Sequence, residues 1–195
     1  IEVTGYAGQE GMLDMYTGHS ISPGFFSWAI PSGETTRIGT WAKAGMMSGA
    51  SSEDFLNRLM SNSDLNNRFT HCSEVGRYCG PVPSGMVKLP LKERVALFGD
   101  AAGICKPTTG GGIGPGFSQV DILVPMLSKA ITNNQLSQSS MDKIASALNE
   151  MRRDQRKKRA LRDAFLTEMD DVELENIFRV WSRPEVTQLI NDVGD

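Results

Sequence analysis

The stretch Val95-Ala96-Leu97-Phe98-Gly99-Asp100-Ala101-Ala102-Gly103 joins an apolar run to a carboxylate and a turn of small residues. Such an apolar run is typical of a buried strand, and Asp100 stands where that strand is expected to end. Glycines after a strand let the backbone approach a large flat ligand without intervening side chains. The stretch therefore predicts a cradle for a cofactor at the end of a strand.

A second glycine-rich stretch, Lys106-Pro107-Thr108-Thr109-Gly110-Gly111-Gly112-Ile113, follows closely. After it, apolar residues recur every three or four positions, which predicts an amphipathic helix beginning inside the glycine run, with Thr108 or Thr109 as its cap. A helix start offers unpaired N–H groups and a positive dipole end, which suit an anion or a ring that accumulates negative charge. The apolar face is expected to comprise Ile113, Phe117, Val120, Leu123, Val124, Leu127 and Ile131, and Pro125 is expected either to kink this helix or to end it.

These two stretches together resemble the second FAD-binding motif of the geranylgeranyl reductase family, which belongs to the para-hydroxybenzoate hydroxylase-like flavoproteins. A second similarity lies upstream, where Pro23-Gly24-Phe25-Phe26-Ser27-Trp28-Ala29-Ile30-Pro31 resembles that family's substrate-domain signature, Tyr-x-Trp-x-Phe-Pro. Gly80-Pro81-Val82-Pro83-Ser84-Gly85 is similar to the turn that leads relatives back into the flavin domain. The resemblance covers most of the chain up to about Ile131.

The resemblance implies a set of cofactor-binding residues. Asp100 is expected to hydrogen-bond the ribityl or pyrophosphate region of FAD, and Pro107 to pack near the ring. The backbone of 110–112 is expected to face the pyrimidine edge of the isoalloxazine, where N–H groups stabilise the negative charge of a reduced flavin. The expected FAD-binding set is Gly99, Asp100, Pro107, Thr109, Gly110, Gly111, Gly112 and Ile113.

The aromatic strand supplies the candidate substrate residues. Alternation places Phe26, Trp28 and Ile30 on one face. Aromatic side chains are ordinary on a half-buried strand, but beside an FAD motif Phe26, Trp28 and Pro31 become candidates for an apolar wall that holds a substrate. Phe26 replaces the Tyr of the signature, so any role of that hydroxyl in orienting substrate or donating a proton is not carried over. No catalytic residue can be named, since neither His19 nor His71 has a Ser or Asp at a recognisable catalytic spacing.

The expected fold class is α+β, as the C-terminal part of a two-domain FAD-binding flavoprotein of the glutathione-reductase type. Residues 1–80 are expected to form part of a substrate-binding domain around an antiparallel sheet, 81–131 the last strand and helix of the FAD-binding domain, and 132–195 a C-terminal helical region. Strands are expected at 2–7, 12–17, 25–30, 36–41, 75–79 and 95–98, and helices after Ser51 and at 113–131, 140–164, 172–181 and 184–193.

The sequence has no Gly-x-Gly-x-x-Gly turn, which in such flavoproteins holds the ADP half of FAD. The chain is therefore expected to be a fragment that is inactive alone and binds FAD weakly or not at all. Its three cysteines form no C-x-x-C pair, which indicates neither a disulfide framework nor a zinc site and favours a reducing, cytoplasmic compartment. No metal is expected.

Charge defines the expected partners. The formal net charge of -3 argues against nucleic acid. No apolar run approaches the ~18 residues of a membrane-spanning helix. The basic run from Arg152 to Arg162 is expected to be a solvated helix face. Through the resemblance, the same run is a candidate for binding a lipid headgroup or touching an anionic membrane from its periphery.

The expected activity is reduction of C=C bonds in geranylgeranyl chains of lipids or prenyl diphosphates, with electrons from NAD(P)H, a ferredoxin or another flavoprotein. Other interpretations of the function remain open. Phe26-x-Trp28-x-Ile30-Pro31 is also similar to the Trp-x-Trp-x-Ile-Pro signature of flavin-dependent halogenases, and monooxygenases share the Gly-Asp-Ala pattern. A quinone-linked dehydrogenase fits the same fold. A non-catalytic lipid-binding module is the alternative outside enzymes.

Overall fold

Helices and strands are mixed along residues 1–193, which the computed structural model describes, and this confirms the α+β class. Two compact units divide the chain: unit 1 combines Ile1–Cys79 with the residues from Asp163 onward, and unit 2 comprises Gly80–Arg162. The division into 1–80, 81–131 and 132–195 stays a prediction.

The strands are β1 (Glu2–Thr4), β2 (Asp14–Tyr16), β3 (Ser27–Ser32), β4 (Thr35–Thr40), β5 (Ser73–Gly76), β6 (Leu91–Lys92) and β7 (Val95–Ala96). The helices are α1 (Ser52–Met60), α2 (Asn66–Phe69), α3 (Ile113–Thr132), α4 (Gln138–Ala145), α5 (Asn149–Leu166), α6 (Asp171–Trp181) and α7 (Pro184–Val193).

Unit 1 is built on an antiparallel five-stranded sheet in the order β2-β3-β4-β1-β5. The β3–β4 hairpin sets the register, with Ala29 opposite Ile38. Both side chains are buried on one face of the sheet, where they join Val3 and residues of α1 in one core. Ser51 caps α1 as expected, because its hydroxyl accepts a hydrogen bond from the Asp54 N–H at 3.1 Å.

Unit 2 contains the β6–β7 hairpin, α3, α4 and most of α5. Its core comprises Leu91, Leu123, Ala130, Met141, Ile144 and Leu148. The expected strand at 95–98 is limited to two residues, because only Val95 and Ala96 have partners on β6. The expected helix at 140–164 is interrupted by a 3₁₀ turn at Ser146–Leu148, which separates α4 from α5.

Helix α3 has the expected extent, but most of its expected apolar face is exposed. The helix continues through Pro125, and the residues buried along it are Gln119, Leu123 and Ala130. Ile113, Phe117 and Ile131 are 77%, 69% and 63% exposed. The helix carries more apolar surface than unit 2 covers, so spacing alone could not identify the stripe that faces the core.

Candidate functional site

The turn after β7 is held by a buried glutamine on α3. Residues Gly99–Ala102 form a single 3₁₀ turn. The Gly99 N–H donates to Gln119 Oε1 at 2.9 Å, and Gln119 Nε2 donates to the Leu97 carbonyl at 3.0 Å. Gln119 is fully buried and satisfies the backbone on both sides of the turn. The sequence analysis did not single out Gln119. The signal for it was its position four residues before Leu123, which puts its amide on the same face of an otherwise apolar helix.

Asp100 lies beside the start of α3, as the two glycine-rich stretches predict. Its carboxylate is exposed and accepts a hydrogen bond from Cys105 Sγ at 3.0 Å. A Cβ at Gly112 would stand 2.9 Å from Asp100 Oδ1, so the carboxylate reaches the helix start only because residue 112 has no side chain. Burial, followed by the hydrogen bond to Asp100, raises the pKa of Cys105 to about 11.

The loop between Asp100 and α3 closes on itself. The Gly110 N–H donates to the Lys106 carbonyl at 2.9 Å, and the Lys106 N–H donates to the Gly111 carbonyl at 2.9 Å. Pro107 is fully buried within unit 2, whereas Thr109, Gly111 and Ile113 are exposed. Gly99, Gly110 and Gly112 are half-buried. The predicted FAD-binding residues are therefore brought together, with Pro107 forming the inside of the loop and the others its surface.

Helix α3 begins without a side-chain cap, so the expected capping by Thr108 or Thr109 is wrong. Gly112 is the N-cap residue, and the Thr109 hydroxyl accepts from the Gly111 N–H at 3.4 Å, ahead of the helix. Pro115 has no N–H, and the Gly116 N–H closes the first helical turn on the Gly112 carbonyl at 2.9 Å. The N–H groups of the first helical residues thus precede the intrahelical ladder and lie at the positive end of the dipole.

Helix α5 supports this loop, which corrects the expectation that its basic run is simply a solvated face. Gln155 Nε2 donates to the Ile104 carbonyl at 2.7 Å, and the Arg162 guanidinium donates to the Pro107 carbonyl at 3.1 Å. Both side chains are buried. Arg152 and Arg159 donate to the carbonyls of Val87 and Ser84. The cations that remain exposed on α5 are Arg153, Arg156, Lys157 and Lys158.

Two candidate substrate residues, Phe26 and Trp28, lie on the open face of the unit 1 sheet, as alternation predicts. Trp28 is half-buried and pairs across the sheet with Met15 and Gly39. A Cβ at Gly39 would lie 2.3 Å from the indole, so the ring rests directly on the β4 backbone. Phe26 meets Trp28 edge-on at 6.0 Å between ring centroids.

The rest of this apolar surface lies toward the turn of the hairpin and on the edge strand. Ile30 continues this face and is exposed near the β3–β4 turn, whereas Pro31, also exposed there, alternates with it and belongs to the opposite face. Met15, which sequence reasoning missed, is 55% exposed on β2. The signal for Met15 was its place in the alternating run of the neighbouring strand.

The His19 ring pairs with a carboxylate of unit 1. His19 Nδ1 lies 2.9 Å from Asp171 Oδ1, and the His19 N–H donates to the same oxygen. Burial raises the pKa of Asp171, but the hydrogen bonds from His19 outweigh it and hold that pKa below its usual value.

Among residues 1–193, no three metal-ligating side chains of His, Cys, Asp or Glu are grouped around a common point. Over the same residues, no helix combines the length and the apolar character needed to cross a bilayer.

No protein-family model matches this chain. Named relatives do match it. The digeranylgeranylglycerophospholipid reductase of Methanocaldococcus jannaschii is 27% identical over 133 residues, which is 68% of this chain and 33% of that protein. The digeranylgeranylglycerophospholipid reductase 3 of Methanosphaera stadtmanae is 26% identical over 172 residues, which is 87% of this chain and 42% of that protein. The chain thus spans well under half the length of these relatives, both of which are named as reductases.

A solved structure shares the fold. The crystal structure of a geranylgeranyl bacteriochlorophyll reductase-like protein from Thermoplasma acidophilum matches this chain with a TM-score of 0.71 at 20% sequence identity. The match covers 98% of this chain and 53% of that one. Together with the sequence relatives, it confirms the predicted resemblance to geranylgeranyl reductases over part of the chain.

Proposed function

We propose that this chain, a relative of the geranylgeranyl reductases over part of its length, belongs to an FAD-dependent oxidoreductase that saturates C=C bonds in the geranylgeranyl chains of glycerophospholipids. The observation that carries the proposal is the approach of the exposed Asp100 carboxylate to the uncapped start of α3 at Gly112. The names of the relatives support the substrate class. The larger protein is expected to have the two-domain flavoprotein fold.

The cradle fits a flavin by the chemistry of its donors and acceptors. Asp100 offers an acceptor for ribityl hydroxyls, and the surface of 109–113 offers backbone with little side chain between it and a ligand. The first N–H groups of α3 would stabilise negative charge on a reduced ring. When bound, FAD supplies a hydride donor for the alkene.

Positioning residues hold this cradle in place. Gln119 fixes the strand-end turn, and Arg162 fixes the loop through the Pro107 carbonyl. Neither side chain is exposed, so their role is to keep the Asp100 and Gly112 geometry constant. Preorganisation of this kind matters because an ångström of misplacement can cost much of the rate.

The open face of the unit 1 sheet is proposed to contact the prenyl chain. Phe26 and Trp28 offer aromatic surface there, Met15 extends it on the neighbouring strand, and Pro31 is proposed to contact the chain at the end of the hairpin. An isolated alkene has no carbonyl to polarise, so such a site works by orientation and exclusion of water. The electrons are proposed to come from NAD(P)H, a ferredoxin or another flavoprotein.

The experiment uses the whole protein that contains this chain. Its flavin is reduced without oxygen and mixed with a digeranylgeranylglycerophospholipid, and the lipid mass and flavin absorbance are followed. Reoxidation with gain of hydrogen by the lipid supports the proposal. Reoxidation by oxygen alone points to a monooxygenase or halogenase, and the absence of flavin points to a lipid-binding module. Asp100→Asn should weaken FAD binding, whereas Asp121→Asn, an exposed carboxylate on α3, is the matched control.

A further inference from the structure

Unit 2 contains a strongly basic cleft of about 320 Å³ between residues 84–88 and one side of α5. Four of its lining residues are cations, namely Lys88, Arg152, Arg156 and Arg159, and none is a carboxylate. Its volume lies within the range of small-molecule sites. An adjoining cleft of about 460 Å³ shares Lys88, Arg152 and Arg156, and Asp142 is the carboxylate that lines it. The first cleft therefore concentrates positive charge in one concave place.

Backbone hydrogen bonds fix the walls of the basic cleft. The Gly85 N–H donates to the Gly103 carbonyl and the Val87 N–H to the Ala102 carbonyl, each at 3.0 Å. Arg159 donates to the Ser84 carbonyl at 2.7 Å and Arg152 to the Val87 carbonyl at 3.1 Å. A guanidinium has five N–H donors, so both arginines keep donors for a ligand while their position is set.

Two cations of the cleft have no ion-pair partner within the part of the chain that the structure describes. Arg156 and Lys88 are exposed, and neither the Arg156 guanidinium nor the Lys88 ammonium has an ion pair or hydrogen bond with another residue of 1–193. The Lys88 carbonyl accepts a hydrogen bond from Arg152 at 3.4 Å. Of the carboxylates on the same helix, Asp154 is paired with Lys158 at 2.8 Å and Asp163 with Lys43 at 3.2 Å, and neither these two nor Glu150 lines the cleft. The positive charge of the cleft is therefore available to an anion.

Two buried polar atoms in the same lining lack partners. Ser84 Oγ and Gln155 Oε1 have no hydrogen bond within residues 1–193, and Gln155 is 6% exposed. A buried polar atom without a partner is unusual and points to a missing ligand or water. The Ser84 hydroxyl can donate to an anion, whereas Gln155 Oε1 can only accept and so suits a ligand that also carries a donor, such as a hydroxyl.

We propose that the basic cleft binds a phosphate ester that carries a free hydroxyl. Arg156 and Lys88 contact the phosphate, Ser84 donates to a phosphate oxygen, and Gln155 accepts from the ligand hydroxyl. A lipid headgroup and a free phosphate ester both present this chemistry. The proposal concerns unit 2 alone and does not depend on FAD or on the reductase activity.

The test is calorimetric titration of the full chain with glycerol phosphate. Arg156→Gln is expected to weaken binding about tenfold, which is typical of losing a charge-assisted hydrogen bond. Arg153→Gln removes the same charge from α5 outside the cleft and should leave the affinity unchanged. Ser84→Ala should also weaken binding, and thermal melts verify that each variant is folded. No saturable binding, or an equal loss in both arginine variants, would overturn the proposal.

Vesicles distinguish the two sources of the phosphate. A lipid headgroup is identified if the chain cosediments with phosphatidylglycerol vesicles, and if both Arg156→Gln and added glycerol phosphate reduce the bound fraction. Binding of glycerol phosphate without cosedimentation identifies a soluble ester. Both results support the phosphate site. Cosedimentation that neither Arg156→Gln nor glycerol phosphate reduces would contradict it.

Discussion

At the scale of single residues, Gly112 decides whether Asp100 can stand at the start of α3. Gly112→Ala would place a methyl group 2.9 Å from Asp100 Oδ1, and the carboxylate would have to move. We expect a loss of about 1–3 kcal/mol in the free energy of unfolding, as for other overpacked sites, and weaker FAD binding by the whole protein. Denaturant unfolding and flavin titration measure the two effects.

Gly114→Ala is the control for that substitution. Nothing lies within 4 Å of a Cβ at Gly114, and alanine favours a helix over glycine. This variant should be as stable as the original or more so. An equal loss in both variants would mean that the helix start, and not the contact with Asp100, is sensitive.

Cys105 gives a prediction for the dependence on pH. Folding raises the pKa of the Cys105 thiol from 9.0 to about 11. The neutral thiol therefore contributes fully to stability below the pKa of the unfolded chain, and this contribution is lost as the pH rises through the pKa of the folded protein. At about pH 8, iodoacetamide should modify the exposed Cys79 and leave Cys105 largely intact. Peptide mass spectrometry measures both rates. Asp100→Asn should speed modification of Cys105, because the carboxylate that disfavours its thiolate is gone.

At the scale of elements, periodicity and end signals predicted where helices lie but not what they face. The Pro184 start of α7 and the Ser51 cap of α1 were readable because they depend on neighbouring residues. Gln119 and Gln155 were not, since their partners are backbone carbonyls or N–H groups far along the chain. A hydrogen bond between a side chain and a backbone group far along the chain produces no periodic pattern in the sequence, so it cannot be predicted from spacing.

The support of the loop by α5 can be tested at Arg162. Arg162→Met keeps the aliphatic bulk but leaves the buried Pro107 carbonyl without its guanidinium donor. We expect a loss of about 1–3 kcal/mol in the free energy of unfolding and faster hydrogen exchange over 104–111. Lys157→Met, at an exposed position of the same helix, should change neither quantity. Unchanged exchange in Arg162→Met would remove α5 as the support of the loop.

At the scale of the whole molecule, the described chain exposes an apolar stripe on α3 that its own residues do not cover. Ile113, Phe117 and Ile131 are the most exposed members. Patches of this kind promote association. Phe117→Ser should therefore reduce concentration-dependent self-association of the chain in light scattering, without lowering its melting temperature by more than a few degrees. A substantially lower melting temperature would show that Phe117 is buried in the fold.

The indole of Trp28, which lies on Gly39, can also serve as an intrinsic fluorescent reporter of the open sheet face. Trp28 is half-buried on the open sheet face, and the other tryptophans are Trp41 and Trp181. With Trp41 and Trp181 both changed to Phe, the wavelength of maximum emission would report the solvent exposure of that face alone. A prenyl chain laid across it would shift the emission to the blue, so occupancy could be read in real time without any turnover.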